Sequence, residues 1–261
     1  MSEAVLFETR DAVLIITINE PARRNVLSRL VYEPVESALR DATAAESGVR
    51  AVVITGAGGF FSAGGDLRML KSRREMTLPE REAQIEYLHR MIRAIRACPV
   101  PVIAAVEGGA AGAGASLAFA CDMIVAAEDA KFTLAYVKAG LVPDGGGSGF
   151  LTTNLPRQLA TEMCLTGRPV LAPRMYDVGV VNRVVVPGSA LKQALELALD
   201  LVSGPPEAQA AIKALLSAPD TAEFEAHLLR ERREMGLALG RDEALEGIRA
   251  FEEKRKPDFT N

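Results

Sequence analysis

The stretch Ala51-Val52-Val53-Ile54-Thr55-Gly56-Ala57-Gly58-Gly59-Phe60-Phe61-Ser62-Ala63-Gly64-Gly65-Asp66-Leu67 carries the reading of this chain. A short β-branched run of this kind is a buried strand, and the glycines after it form a tight loop. Asp66 stands where a following helix would be capped. The same order returns at Val102-Ile103-Ala104-Ala105-Val106, followed by Gly108-Gly109-Ala110-Ala111-Gly112-Ala113-Gly114-Ala115-Ser116 and apolar Leu117–Ala120. Strand, tight loop and helix start leave backbone N–H groups without intrahelical partners. Such groups bind phosphate, or an oxygen that becomes negative during a reaction. A glycine-rich turn taken singly reads first as close packing of helix on strand. Gly109, Gly112 and Gly114 give G-x-x-G-x-G, not the G-x-G-x-x-G of a dinucleotide fold.

Outward from these loops, Val13–Ile18 and Met123–Ala126 read as two more buried strands. Ser28–Ala45 and Glu80–Arg96 read as helices, the first carrying Pro34 in its early turns or bent by it. From Ser189 onward the pattern is helical throughout: Ala190–Ser203, Pro206–Ser217, Thr221–Leu239 and Asp242–Glu253. Strands buried on both faces and alternating with helices predict an α/β core over residues 1–188, with a helical C-terminal region over 189–261.

The 261 residues carry a formal charge of -4, so nothing draws the chain toward nucleic acid or an anionic membrane. Cys98, Cys121 and Cys164 are odd in number and widely spaced, which argues against a disulfide framework or a zinc site. With His89 and His227 as the only histidines, no metal centre is expected. Both sit on expected helices and read as surface histidines. Met1–Ala4 lacks the basic and apolar regions of a signal peptide, and no apolar run spans a bilayer. A cytoplasmic protein is the expectation.

Phe61-Ser62-Ala63-Gly64-Gly65-Asp66-Leu67 resembles the F-x-A-G-x-D-L signature of the crotonase, or enoyl-CoA hydratase/isomerase, superfamily. Four further elements resemble that family in the same order. They are Pro21–Leu27 (P-x-x-x-N-x-L), Ala104–Asp122, Pro143–Ser148 (P-x-x-G-G-[ST]) and Ala172–Val181. The resemblance implies repeated β-β-α turns, an acyl-CoA thioester as ligand, and a homotrimer or hexamer in which the C-terminal region aids trimerisation and covers the CoA pocket. It also implies an oxyanion hole from two backbone N–H groups, those of Ala63 and Ala113, and no cofactor beyond the CoA of the substrate. CoA is expected along Ala22, Arg23 and Arg24 and along Ala63, Gly64, Gly65, Asp66 and Leu67, with Lys254 reaching its phosphates. On composition alone Lys254 belongs to a solvated tail and Asp66 to a helix cap.

Hydratases of the family carry two glutamates, and the matching positions here are Ser116 and Tyr136. A hydroxyl is no base near pH 7 without an activator. Asp144, between Pro143 and three glycines, is the carboxylate on the correct loop. As a bare motif it is a turn residue capping the next helix; the resemblance makes it a base facing the acyl chain. Together with Gly112, the residues Ser116 and Tyr136 would line the substrate pocket, although a Tyr packed in the core is an equal reading. Glu107 reads as structural, Ser62 and Ser148 as loop residues, and Met69–Thr77 as a border of the pocket. The segment Ala135–Ser148 looks like the aromatic-catabolism branch, with its epoxide isomerases and oxepin-CoA hydrolases. The expected activity is an enoyl-CoA isomerase-type proton shift through Asp144. A hydratase, a ring-opening hydrolase or a non-catalytic acyl-CoA-binding protein are the alternatives.

Overall fold

A computed structural model describes residues 3–42, 44, 47–217 and 221–259. Met1, Ser2 and the expected helix end at Ala45 lie outside the described residues. The strands are β1 (Val5–Arg10), β2 (Val13–Ile18), β3 (Val26–Leu27), β4 (Ala51–Gly56), β5 (Gly64–Gly65), β6 (Val102–Val106), β7 (Gly109–Ala111), β8 (Met123–Ala127), β9 (Lys131–Thr133), β10 (Val170–Leu171) and β11 (Arg183–Val185). The helices are α1 (Arg29–Ala42), α2 (Leu67–Arg73), α3 (Leu78–Ala97), α4 (Ala113–Ala120), α5 (Gly147–Asn154), α6 (Arg157–Thr166), α7 (Ala172–Asp177), α8 (Ala190–Val202), α9 (Pro206–Ser217), α10 (Thr221–Ala238) and α11 (Asp242–Glu252). Tyr136 lies in a 3-10 turn, Ala135–Ala139.

The main sheet has six strands in the order β1-β2-β4-β6-β8-β11. It is parallel except for the edge strand β1, which pairs antiparallel with β2. Side chains alternate across a strand, so β2 feeds two cores. Leu14, Ile16 and Ile18 join the core that contains Val31, Val35 and Leu39 of α1 and Ile85, Ile92 and Ile95 of α3. Val13 and Ile15 face the other way, with Val53, Ile103 and Val125, onto Ala190, Ala194 and Ala198. Those three alanines recur every fourth residue and let α8 lie close on the sheet. The first helix of the C-terminal region therefore closes the back of the α/β core. Its first turn is capped by Glu107, whose carboxylate accepts from Gly188 N (3.0 Å) and Ala190 N (2.7 Å).

Beside the main sheet lie β10-β9-β7 and the pair β3-β5. Parallel pairing of Val26 with Gly64 and Leu27 with Gly65 carries the N-terminal element onto the F-x-A-G loop. Asn25 locks that junction. It is fully buried in the left-handed conformation (φ 56°), which Asn tolerates better than most residues. Its Nδ2 donates to the carbonyls of Ala57 (2.8 Å) and Phe60 (2.5 Å), and its Oδ1 accepts from Glu20 N (2.9 Å). Asn25→Ala strands these three backbone groups, so unfolding in urea is expected to show a loss of about 1–3 kcal/mol.

Candidate active site

The two glycine-rich loops meet at the start of α4. Gly114 packs so tightly on the first loop that a Cβ there would stand 2.7 Å from Ser62 Cβ and the Ser62 carbonyl. Ser62 is itself buried, donating through Oγ to Asn25 O (2.8 Å) and accepting from Gly64 N (3.1 Å). A Cβ on Gly64 would stand 3.1 Å from Ala113 N, so the backbone of this loop lies directly against the first turn of α4. The glycines thus produce close packing of loop on helix, and the same packing fixes where the first-turn amides of α4 lie.

Three side chains converge on that helix start. Tyr136, Ser116 and Asp144 are all buried. The Tyr136 hydroxyl donates to Asp144 Oδ1 at 2.8 Å. Ser116 Oγ donates to the Asp144 carbonyl at 2.8 Å and lies 3.4 Å from the Tyr136 hydroxyl. The Tyr136 ring reaches Gly112, where a Cβ would stand 3.8 Å from Cζ. Burial pushes the Asp144 carboxyl up from its ordinary value to about 7, the Tyr136 hydrogen bond opposes this, and the charge of Glu231 adds to it. Burial, then the neighbouring Asp144 charge, holds the Tyr136 phenol well above its ordinary value, so it stays a proton-bearing donor.

The loop that carries Asp144 is held from behind. Gly145 N donates to His89 Nε2 (3.2 Å), Gly146 N to Glu231 Oε2 (2.6 Å) and Ser148 N to Glu231 Oε1 (3.0 Å). His89 is fully buried, and burial pushes its imidazole down to about 4. His227 is partly buried, with Nε2 2.8 Å from Ser148 Oγ and 3.2 Å from Glu231 Oε1. The surface placement expected for both histidines is therefore corrected. His89 follows Ile85 and Leu88 on the apolar face of α3, and that helical period was the available signal. Ser148, His227 and Glu231 do not form a nucleophile relay, because serine and carboxylate both meet the same ring nitrogen. Glu231 escaped the sequence reading altogether, being one charged residue among many on α10.

The enoyl-CoA hydratase/isomerase family model matches residues 8–261. The chain belongs to that family. It is 34% identical to the 2,3-dehydroadipyl-CoA hydratase of Escherichia coli K12 over 260 residues, which is 99% of each chain. It is 32% identical to the 1,2-epoxyphenylacetyl-CoA isomerase of the same organism over 261 residues, covering 100% of this chain and 99% of the other. Among solved structures, an enoyl-CoA hydratase from Polaromonas sp. JS666 is 42% identical with a TM-score of 0.81, covering 97% of this chain and 98% of that one. Another, from Mycobacterium avium subsp. paratuberculosis K-10, is 32% identical with a TM-score of 0.88, covering 99% of each.

Within this crotonase fold the expected ligand-binding residues have distinct surroundings. The Ala63 amide is donated to Arg24 O at 2.8 Å, which corrects its assignment as an oxyanion donor. The Gly64 amide is engaged by Ser62 Oγ, and Gly65 is the next residue along the loop. Asp66 does cap α2, accepting from Arg68 N at 3.1 Å, and also pairs with Arg23 at 2.6 Å. Arg23 pairs with Glu20 as well, whereas the Arg24 guanidinium lies 5.5 Å from the centroid of the Phe60 ring. Ala22 and Lys254 are exposed, and Leu67 begins α2, which covers part of Met69–Thr77. No group of three or more His, Cys, Asp and Glu among the described residues could hold a metal, and no described helix is long and apolar enough to cross a membrane. Replacing Tyr136 with Phe removes the side-chain donor to the Asp144 carboxylate, so the Asp144 midpoint is expected to rise above about 7. A carboxyl-carbon NMR titration, assigned by comparison with Asp144→Asn, measures that shift directly.

Proposed function

We propose that this crotonase is an isomerase acting on an enoyl-CoA thioester, with Asp144 as the base that moves the proton. The observation that carries the reading is the state of the Asp144 carboxylate: buried, raised to about 7, and held by Tyr136 beside the start of α4. The other buried carboxylate near the loop, Glu231, is consumed by backbone amides. A group whose proton affinity matches neutral pH can both take and return a proton. In a 3-enoyl-CoA, Asp144 removes a proton from C2 and the charge spreads into a dienolate ending on the thioester oxygen. Asp144 then returns the proton to C4, and the double bond moves from C3–C4 to C2–C3. Atoms and electrons balance with nothing beyond the CoA carrier. Tyr136 and Ser116 hold the carboxylate and its carbonyl throughout.

The oxyanion donors in this reading are the Ala113 amide at the start of α4 and the Gly65 amide, since those of Ala63 and Gly64 are engaged within the loop. The adenosine and pantetheine portions of CoA follow Ala22–Arg24 and Gly64–Leu67. Phosphate recognition falls to Arg24 and Lys254, because Arg23 is neutralised by Glu20 and Asp66. The resemblance, together with exposed Leu165, Leu171 and Tyr176, supports assembly as a homotrimer or a pair of trimers.

The deciding assay follows conjugated-thioester absorbance on a 3-enoyl-CoA and a 2-enoyl-CoA, with wild type and Asp144→Asn. Absorbance is expected to rise on the 3-enoyl substrate and to fall by about 10²–10⁴ in rate in the variant. With Asp144 required in its ionised form, kcat/KM rises with pH and its acid limb has a midpoint near 7. Absorbance falling on the 2-enoyl substrate would mean hydration and would overturn the isomerase reading; no change on either would favour an aromatic-derived ring substrate or binding alone. Gly65 tests the oxyanion assignment. A Cβ there meets nothing nearer than Leu70 Cδ1 at 3.9 Å, so Gly65→Ala is expected to keep activity. Gly65→Pro removes the N–H and is expected to lower kcat by about 10²–10³.

A further inference from the structure

Asp144 is followed by four backbone amides at the start of α5, and none is left for its side chain. Gly145 N goes to His89 Nε2 (3.2 Å) and Gly147 N to the Asp144 carbonyl (3.1 Å). Gly146 N and Ser148 N go to the two oxygens of Glu231, at 2.6 and 3.0 Å, and Ser148 Oγ donates to Glu231 Oε1 at 2.5 Å. An aspartate one turn before a helix ordinarily caps those amides itself. Here a carboxylate from α10, only 5% exposed, has taken them, at the helix end where negative charge is favoured. His227 closes the cluster from the same helix. The position of α10 is fixed on α3 by Arg93–Glu86 (2.6 Å), Arg232–Glu86 (2.7 Å) and Arg93–Glu225 (2.9 Å).

We propose that Glu231 is a positioning residue for Asp144: by occupying the α5 amides it keeps the Asp144 carboxylate off the helix start and turned to the Tyr136 phenol. This rests on Asp144 being the base. The groups that act on Asp144 come from several elements. They are Tyr136 from the 3-10 turn, Tyr32 from α1, Arg73 from α2, His89 from α3, Ser116 from α4 and Glu231 from α10. Arg73 draws the Asp144 carboxyl down and Glu231 pushes it up. His89, held down near 4, supplies an acceptor and no charge at neutral pH. Glu231 therefore both aims the base and helps hold it near neutrality.

The test compares Glu231→Gln and Glu231→Asp with wild type in three readouts: thermal melting, kcat and KM, and the acid limb of kcat/KM. Glu231→Gln presents an amide to two backbone donors and removes the charge. It is expected to lower kcat by about 10–100-fold, to change KM by less than about 3-fold because the CoA contacts lie elsewhere, and to move the acid limb down by about half a unit to one unit. Glu231→Asp keeps the charge but shortens the tether, so the limb returns toward its wild-type position while kcat stays reduced. A wild-type kcat and limb in Glu231→Gln overturns the proposal, and so does a kcat loss with an unmoved limb and a collapsed melting temperature. Asp144→Asn run alongside separates the two readings. If it retains turnover, the base assignment fails. A carboxyl-carbon NMR titration of Asp144 in wild type and Glu231→Gln, which needs no turnover, still decides whether Glu231 sets its proton affinity; an unshifted midpoint overturns that part.

Discussion

A buried carboxylate with no cation hydrogen-bonded to it among the described residues is the constraint around which this site is organised. Removing Asp144 from water disfavours its charged form, and the Tyr136 phenol, the charge of Arg73 and the residue's own amide compensate only in part. The result is a proton affinity near neutrality, maintained because the four backbone amides that follow Asp144 at the start of α5 are spent on other acceptors. Had Asp144 capped α5 it would be an ordinary low-affinity carboxylate, structurally useful and chemically quiet. Glu231 and His89 carry that capping duty instead, so the helix start is satisfied and the aspartate is spared.

The second organising feature is backbone chemistry at α4. Its first turn is apolar and buried, and Gly112 offers its amides no side-chain cap. Gly114 admits Ser62, Ser62 ties the loop to Asn25, and Asn25 ties the N-terminal element to Ala57 and Phe60. The chain of contacts reaches from residue 20 to the helix start, with the side chains of Asn25 and Ser62 meeting main-chain groups at each hydrogen bond. Two polar side chains and the absence of a Cβ at Gly114 therefore hold it together. The same close fit spends the Ala63 amide on Arg24.

Much of the fold was legible from periodicity. Val13–Ile18, Val102–Val106 and the four C-terminal helices are strongly patterned, and the structure has them within a few residues. Shorter elements were not legible: β7, β9 and β11 span three residues each and owe their existence to neighbours. The edge strand β1 exposes Leu6 and Phe7 and lacks the signature of a buried strand. Of the site, the motifs located Ala113, Tyr136 and Asp144 in one place. They could not locate His89 or Glu231, whose roles depend on α3 and α10 lying together behind a loop 56 and 85 residues away in sequence.

The amino-acid sequence by itself determined the family, the α/β core with its helical C-terminal region, and the loops on which backbone donors and the aspartate would lie. Those features are local, written as hydrophobic period, glycine spacing and motif order. Tertiary structure alone decided which amides are spent, which carboxylate caps and which remains free, and how far burial raises it. Hydrogen bonding and desolvation are properties of assembled neighbours, and two aspartates or glutamates identical in sequence terms acquire opposite roles once one meets backbone N–H groups and the other meets a phenol.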